Sequence, residues 1–348
     1  MFYFLVKRIA AGFIVLISVV ILICSIIYLS PIDPARMSFG QRIDDATLSA
    51  TKKAYGLDQS LPIQMIHYLR DISPFWINID RHYVPNTNHI LLWNNPPVLV
   101  KWPHWRESYQ SGESVSSILS RAIPKTIILA LLAILIGLVF GVLLGILSAI
   151  FQDTWIDKMA NIIAIMGYSL PSYVAGIFIA LIFGYLLSNY TGLSAQGSLV
   201  ELNNAGDEIT NWRNIILPAI ALGLRPVALF LQLTKSALLE NLQLDYMKTA
   251  RAKGLSFYKA IYKHCLKNIW VPLLTAAMGW LGSLMAGAFF IESVFNYDGV
   301  GDITVNALLN FDIPLALGAI LYSATIFIVI NILNDILLPF LDPKIKLT

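Results

Sequence analysis

Residues 9–29 run through 21 positions without a charged side chain. At about 1.5 Å per residue, a helix of that length spans roughly 32 Å, enough to cross a hydrocarbon core of about 30 Å. Four more charge-free runs follow, at 126–151, 159–188, 269–291 and 313–334, and a weaker one at 214–234 is interrupted by Arg225 and Pro226. Runs this long do not fit inside a globular core, so the expected fold is an all-α polytopic membrane protein with six transmembrane helices. Composition agrees: 13% of residues are charged, against roughly 25% in a soluble domain, which excludes an ordinary soluble enzyme. A net charge of +3 is too small for a nucleic-acid footprint, so no nucleic acid is expected as a partner. Cys24 and Cys265 lie too far apart in the chain to read as a disulfide framework or a metal site.

Lys7 and Arg8 precede the first run, as in a signal peptide. The run is longer than the usual h-region, and no A-x-A-like site precedes Ser30-Pro31, so it is read as a retained span. The short polar connection Gln152–Lys158 makes the second and third spans a hairpin, and Pro171, Pro218, Pro226 and Pro272 predict kinks. With the N-terminus inside, the inner segments hold twelve Lys and Arg residues, while the two short outer loops hold only Arg213. This asymmetry puts both termini in the cytoplasm. The expected organisation is a first span over 1–29, a large extracytoplasmic loop over 30–125, and a core of five spans over 126–348 containing a cytoplasmic segment at 239–268.

That cytoplasmic segment punctuates itself. Asp245 suits an N-cap, 246–253 hold good helix formers, Gly254 suits a left-handed C′ position, and Ser256 can cap a second helix. A helix of about eight residues is not stable alone in water and needs a surface to dock on. Tyr246, Ala250 and Lys253 share one face, and the small Ala250 and Ala252 would let it sink into a partner's groove.

The run Asp245-Tyr-Met-Lys-Thr-Ala-Arg-Ala-Lys-Gly-Leu-Ser256, followed by Lys263-His-Cys-Leu-Lys-Asn268 and Val271-Pro272, resembles the EAA loop of ATP-binding-cassette (ABC) importer permeases of the dipeptide, oligopeptide and nickel type. The likeness extends to Pro31-Ile-Asp-Pro34, Tyr55-Gly-Leu-Asp-Gln59, Pro124-Lys-Thr126, Leu217-Pro218, Glu292-Ser-Val-Phe295, Gly299-Val-Gly301 and Leu341-Asp-Pro-Lys-Ile345, in family order. Lys248 and Thr249 stand where the general motif has Glu and Ala, Lys344 replaces the usual Arg, and Asp298 replaces a Pro, so the turn near Asp298 is expected to differ.

The resemblance implies a transport subunit, not an enzyme, in the cell inner membrane. It would pair with a second permease, a paralogue, and receive solute, by expectation a peptide, from an extracytoplasmic binding protein. It would couple to two cytoplasmic ATPase subunits through Asp245, Tyr246, Thr249, Ala250, Arg251, Ala252, Lys253, Gly254 and Leu255. ATP and Mg would sit on those ATPases, since this chain has no G-x-x-x-x-G-K-[ST] loop. The coupling is read as a rigid lever that switches the spans between outward-open and inward-open states. Glu292, Phe295, Gly299 and Gly301 match family positions near an outer gate.

Gly137, Gly141 and Gly145 recur every fourth residue, the small-xxx-small pattern of close helix packing. Gly279, Gly282, Ser283 and Gly287 form a looser small-residue surface on which a second permease could slide. Of the charges in or near spans, Asp335 and Glu292 read as interfacial groups facing water or a neighbouring backbone, with a gate role as the alternative for Glu292; Arg225 has no evident partner. The loop excess around 75–106 is rich in Trp, Tyr and Pro and reads as an ordered subdomain, either self-contained or touching the binding protein. His82, His89 and His104 within it fit no tight metal-ligand spacing. An ion-coupled secondary transporter or channel is the main alternative, but it would need relay charges or inverted repeats. A membrane enzyme would need a nucleophile–base or metal motif.

Overall fold

The computed structural model describes residues 2–29, 46, 49, 52–53, 58–77, 89–94, 97–203 and 205–341. Pro31–Pro34, residues 55–57, His82, Tyr83 and the ending 342–345 lie outside them. The helices, in chain order, are α1 (Phe2–Leu29), α2 (Leu61–Ile72), α3 (Val115–Ile150), α4 (Trp155–Ser169), α5 (Ser172–Ile179), α6 (Ser188–Thr191), α7 (Ile216–Gln243), α8 (Asp245–Ala252), α9 (Phe257–Ala260), α10 (Leu266–Gly287), α11 (Phe289–Val294), α12 (Val300–Leu309) and α13 (Ile313–Leu341). Widened π-helical turns at Ala180–Leu186 and Ile261–Cys265 extend α5 and join α9 to α10.

Among the described residues, five helical stretches are long and apolar enough to span a membrane: Val6–Ile26, Val115–Ile150, Ile216–Gln243, Phe257–Met285 and Ile313–Leu337. A sixth is reached only by counting a broken pair. The run 159–188, read from sequence as one helix, is two helices meeting at 108° between Ser169 and Ser172. Pro171 causes the break: its ring disfavours helical geometry at Leu170, which is extended at φ −72° and ψ 133°. The weaker run that Arg225 and Pro226 interrupt is nonetheless one continuous helix, α7, with Pro226 inside it. Likewise α3 begins at Val115 rather than at 126 and carries Pro124 within it.

The chain divides into two compact units. The first comprises 1–9, 123–302 and 325–348, and its core is built on α7. Leu217, Ala219, Ala221 and Leu222 pack with Leu129, Ala130 and Ala133 of α3, Leu284 and Met285 of α10, Ile291, Phe295 and Tyr297. Small residues on α7 and α3 let the backbones close in. At one end of this unit, Arg8 and Asp335 pair at 2.9 Å, so the start of α1 and the end of α13 lie on the same side.

The second unit comprises 10–122 and 303–324, so the described residues between α1 and α3 group with parts of α1, α12 and α13. Its core gathers Val20, Ile23, Tyr68, Leu317 and Leu321. The aromatic-rich excess at 75–106 contains a three-stranded antiparallel sheet in the order β1 (Phe75–Ile77), β3 (Pro97–Lys101), β2 (His89–Asn94), a small β element in a helical chain. Arg106 ties this region to α2, its guanidinium 2.9 Å from Asp71 and stacked 5.4 Å from the Tyr68 ring centre.

Candidate functional site

The helix α8 is held by its own chain. Its first residue is Asp245, and the cap position belongs to Leu244 in extended geometry, so the expected Asp245 N-cap is displaced by one. Met247 and Ala250 are buried. Met247 enters a cluster with Phe230, Leu238, Ala260, Ile261, Cys265 and Ile269, its sulfur 3.5 Å from Cys265 Sγ. Tyr246 is half-buried and donates its hydroxyl to Asn241 Oδ1 at 2.6 Å, while Asn268 donates to the same hydroxyl at 3.3 Å. Burial pushes the Tyr246 pKa above its ordinary value. His264 stacks obliquely on the ring at 6.4 Å.

The face predicted for an external partner is therefore wrong at two positions: Tyr246 and Ala250 point into the chain. Solvent instead meets Asp245, Lys248, Thr249 and Ala252, spaced at i, i+3, i+4 and i+7, with Arg251 and Lys253 beside them. Periodicity could not choose between the faces because each carries both small and polar residues. Beside α8 an open notch of ≈ 470 Å³ is lined by Leu242, Met247, Lys248, Arg251 and Phe257.

Gly254 ends the helix at φ +83°, where an L side chain is strained although a Cβ would meet no atom within 4 Å. Its N–H reaches Arg251 O at 2.9 Å, and that of Leu255 reaches Ala250 O at 3.3 Å. Ser256 then occupies the cap position of α9.

Far along the sequence, Glu292 on α11 is fully buried. Its carboxylate accepts bonds from Thr126 Oγ1 at 2.9 Å, Gly301 N at 2.7 Å and Asp302 N at 3.2 Å. Of the sequence readings, the neighbouring backbone describes its surroundings and water does not. Gly299 and Gly301 make room for it: a Cβ at Gly299 would stand 2.3 Å from Glu292 Oε2, and one at Gly301 2.6 Å from Phe289 Cα. Phe295 is buried beneath this loop, its carbonyl accepting Gly197 N at 2.9 Å. Asp298, where the family has Pro, lies 3.4 Å from Lys125 Nζ. Burial raises the Glu292 pKa to about 7, against the opposing hydrogen bonds.

Gly137, Gly141 and Gly145 of α3 face Pro226, Phe230 and Thr234 of α7, with a Cβ at each glycine coming within 2.7, 2.5 and 2.6 Å of the partner's Cβ. Gly282 packs on Ile330 and Phe327, whereas Gly279 meets nothing within 4 Å.

Sequence reasoning missed Asp157. It accepts from Lys235 Nζ and Asn161 Nδ2, each at 2.6 Å, from Asp153 N at 3.0 Å, and from Ser148 Oγ. This buried hub fastens the α3–α4 turn to α7. The signal available was the pair of acids Asp153 and Asp157 in a short connection, with a lysine near the end of a later span. Among the described residues, no three His, Cys, Asp or Glu side chains cluster as a metal site would require.

The chain is 29% identical to the dipeptide transport system permease protein of Alkalihalophilus pseudofirmus, covering 95% of this chain and 96% of that one. It is 28% identical to the glutathione transport system permease protein of Salmonella typhimurium, covering 99% of each. In three dimensions it resembles a chain of the inward-facing MetNI methionine ABC transporter, with a TM-score of 0.52 at 16% identity, covering 65% of this chain and 97% of that one. The family description "Binding-protein-dependent transport system inner membrane component" matches residues 141–347, and its N-terminal companion matches residues 1–130. With those two matches over a helical, multiply spanning chain, this protein belongs to the family of binding-protein-dependent transport system inner membrane components, the permease subunits of ABC importers.

Proposed function

We propose that this chain is one permease half of a peptide importer in the inner membrane. It pairs with a paralogous permease, takes solute from an extracytoplasmic binding protein, and is driven by two cytoplasmic ATPase subunits that hold ATP and Mg. The observation that carries the coupling role is the two-sided environment of α8. One face is built into the cluster with Met247, Ala260 and Cys265, and the other presents Asp245, Lys248, Thr249 and Ala252 to solvent. A short helix fixed on one side and open on the other transmits displacement to the spans as a rigid body. Peptide as cargo is supported by the names of the dipeptide and glutathione relatives. The Arg8–Asp335 pair supports termini on one side, and the basic excess in the short segments around α8 supports that side being the cytoplasm.

The test is co-purification in mild detergent from cells expressing the whole importer, comparing the native chain with Gly254→Trp. The native chain is expected to bring down a Walker-type ATPase and the variant to lose it while still inserting in the membrane. An ATPase retained equally by both would remove α8 from the coupling role.

A further inference from the structure

Arg225 lies ten residues into α7, inside a membrane-spanning stretch. It is half-buried, and its Nε is enclosed with no hydrogen-bond partner. Among the described residues no carboxylate or carbonyl answers its guanidinium. A cation at that depth is costly in lipid, by roughly 2.5–3.5 kcal/mol on insertion scales, and such groups face a bundle interior or a water-filled cavity.

The rest of that helix face identifies which. Gln232, Ser236 and Gln243 follow Arg225 at +7, +11 and +18, within roughly 20° of one line along the helix, and all three are exposed. Continued the other way from Arg225, the line meets Pro218, about 20° from it, and passes Ala221, about 40° from it, both buried. The opposite faces of α7 are packed by Gly137, Gly141 and Gly145 of α3 and by Ala160 and Ala164 of α4. One helix thus carries two close-packed flanks, against α3 and α4, and one open strip with polar side chains, and the strip ends at the guanidinium of Arg225, whose Nε has no partner.

We infer that this strip lines the solute pathway and that Arg225, at its closed end, receives a carboxylate of the solute in transit. Taking the solute as a peptide, which rests on the function proposed above, that group is the C-terminal carboxylate. The guanidinium's planar fork matches a carboxylate with two parallel hydrogen bonds and holds its charge at any working pH. A carboxylate of the second permease has the same chemistry. The solute is favoured because Gln232, Ser236 and Gln243 lie exposed over the roughly 27 Å from Arg225 to Gln243, with half-buried Leu229 and Leu239 flanking the line between them, a partly wetted route rather than the small-residue packing this chain uses between its own helices.

Two measurements on the assembled importer test this. In inside-out membrane vesicles, Gln232→Cys and Ser236→Cys are expected to react with water-soluble methanethiosulfonates above the background of the native chain. The anionic ethylsulfonate reagent should be favoured over the cationic trimethylammonium reagent, and Arg225→Gln should reduce that preference several-fold. In proteoliposomes, Arg225→Gln should lower uptake of a free-acid peptide roughly tenfold or more, leave its C-terminal amide near the native rate, and be partly rescued by Arg225→Lys. Unreactive thiols at 232 and 236 overturn the pathway assignment. Equal loss of both peptides, with labelling unchanged, overturns the solute assignment and gives Arg225 to the second permease. If the labelling pattern holds but the native complex moves neither peptide, peptide import falls while the carboxylate-binding strip stands.

Discussion

At the residue scale, Glu292 brings together a buried acid, a hydroxyl and two glycines that exist to make space for it. Its pKa is raised to about 7 from the usual 4.5 because burial opposes the charged form. A carboxyl that holds its proton more tightly when folded stabilises the fold most below the unfolded value, and stability falls as pH rises from about 4.5 to about 7. The detergent-solubilised importer should therefore lose stability across that interval, by of order 2 kcal/mol. Glu292→Gln should flatten the pH profile of the melting temperature; an unchanged profile would mean that another group titrates. Gly299→Ala, whose Cβ would collide with the carboxylate, should lower the melting temperature at every pH. Glu292 and Gly301 were visible in the sequence as a motif, but Thr126, 166 residues away from Glu292, was not, because nothing local ties a span-two hydroxyl to an acid on α11.

At the element scale, the α3–α7 contact repeats every four residues on both helices. Gly141→Leu would drive a side chain into Phe230 and Leu231, at a cost of about 1–3 kcal/mol or more for overpacking. Gly279→Leu, with open space around it, should fold normally. The monodisperse fraction on size exclusion separates the two. The Asp157 hub gives a second contrast. Lys235→Met removes the partner of an acid whose side chain is 8% exposed, while Lys248→Met breaks a pair exposed at 71% and 93%. The first should destabilise by roughly 2–4 kcal/mol and the second by less than about 0.5 kcal/mol, read by thermal unfolding. For α8 itself, Gly254→Ala keeps the space but forces a side chain into left-handed geometry, at about 1–2 kcal/mol. The glycine repeat and the Gly254 stop are written in the sequence. The partners Pro226, Phe230 and Thr234, and the face of α8 that turns inward, are not, because both depend on which helices become neighbours.

At the scale of the whole molecule, the ends of α1 and α13 meet through Arg8 and Asp335. Tags on both termini should be shielded from external protease in intact spheroplasts and cut once the cells are opened. Protection of only one tag would break the topology drawn from the basic residues. What the sequence determined by itself is the membrane class, the number of apolar runs and the helix stops, since run length, proline and glycine act locally on the backbone. Tertiary structure alone decided that the third run, kinked at Pro171, bends by as much as 108°, that α7 passes unbroken through Arg225 and Pro226, and that Asp157 finds Lys235. Those outcomes depend on helix neighbours: a proline within a helix is accommodated when a glycine opposite lets the helices close around it, as Gly137 does for Pro226. A proline where the chain can turn breaks the helix instead.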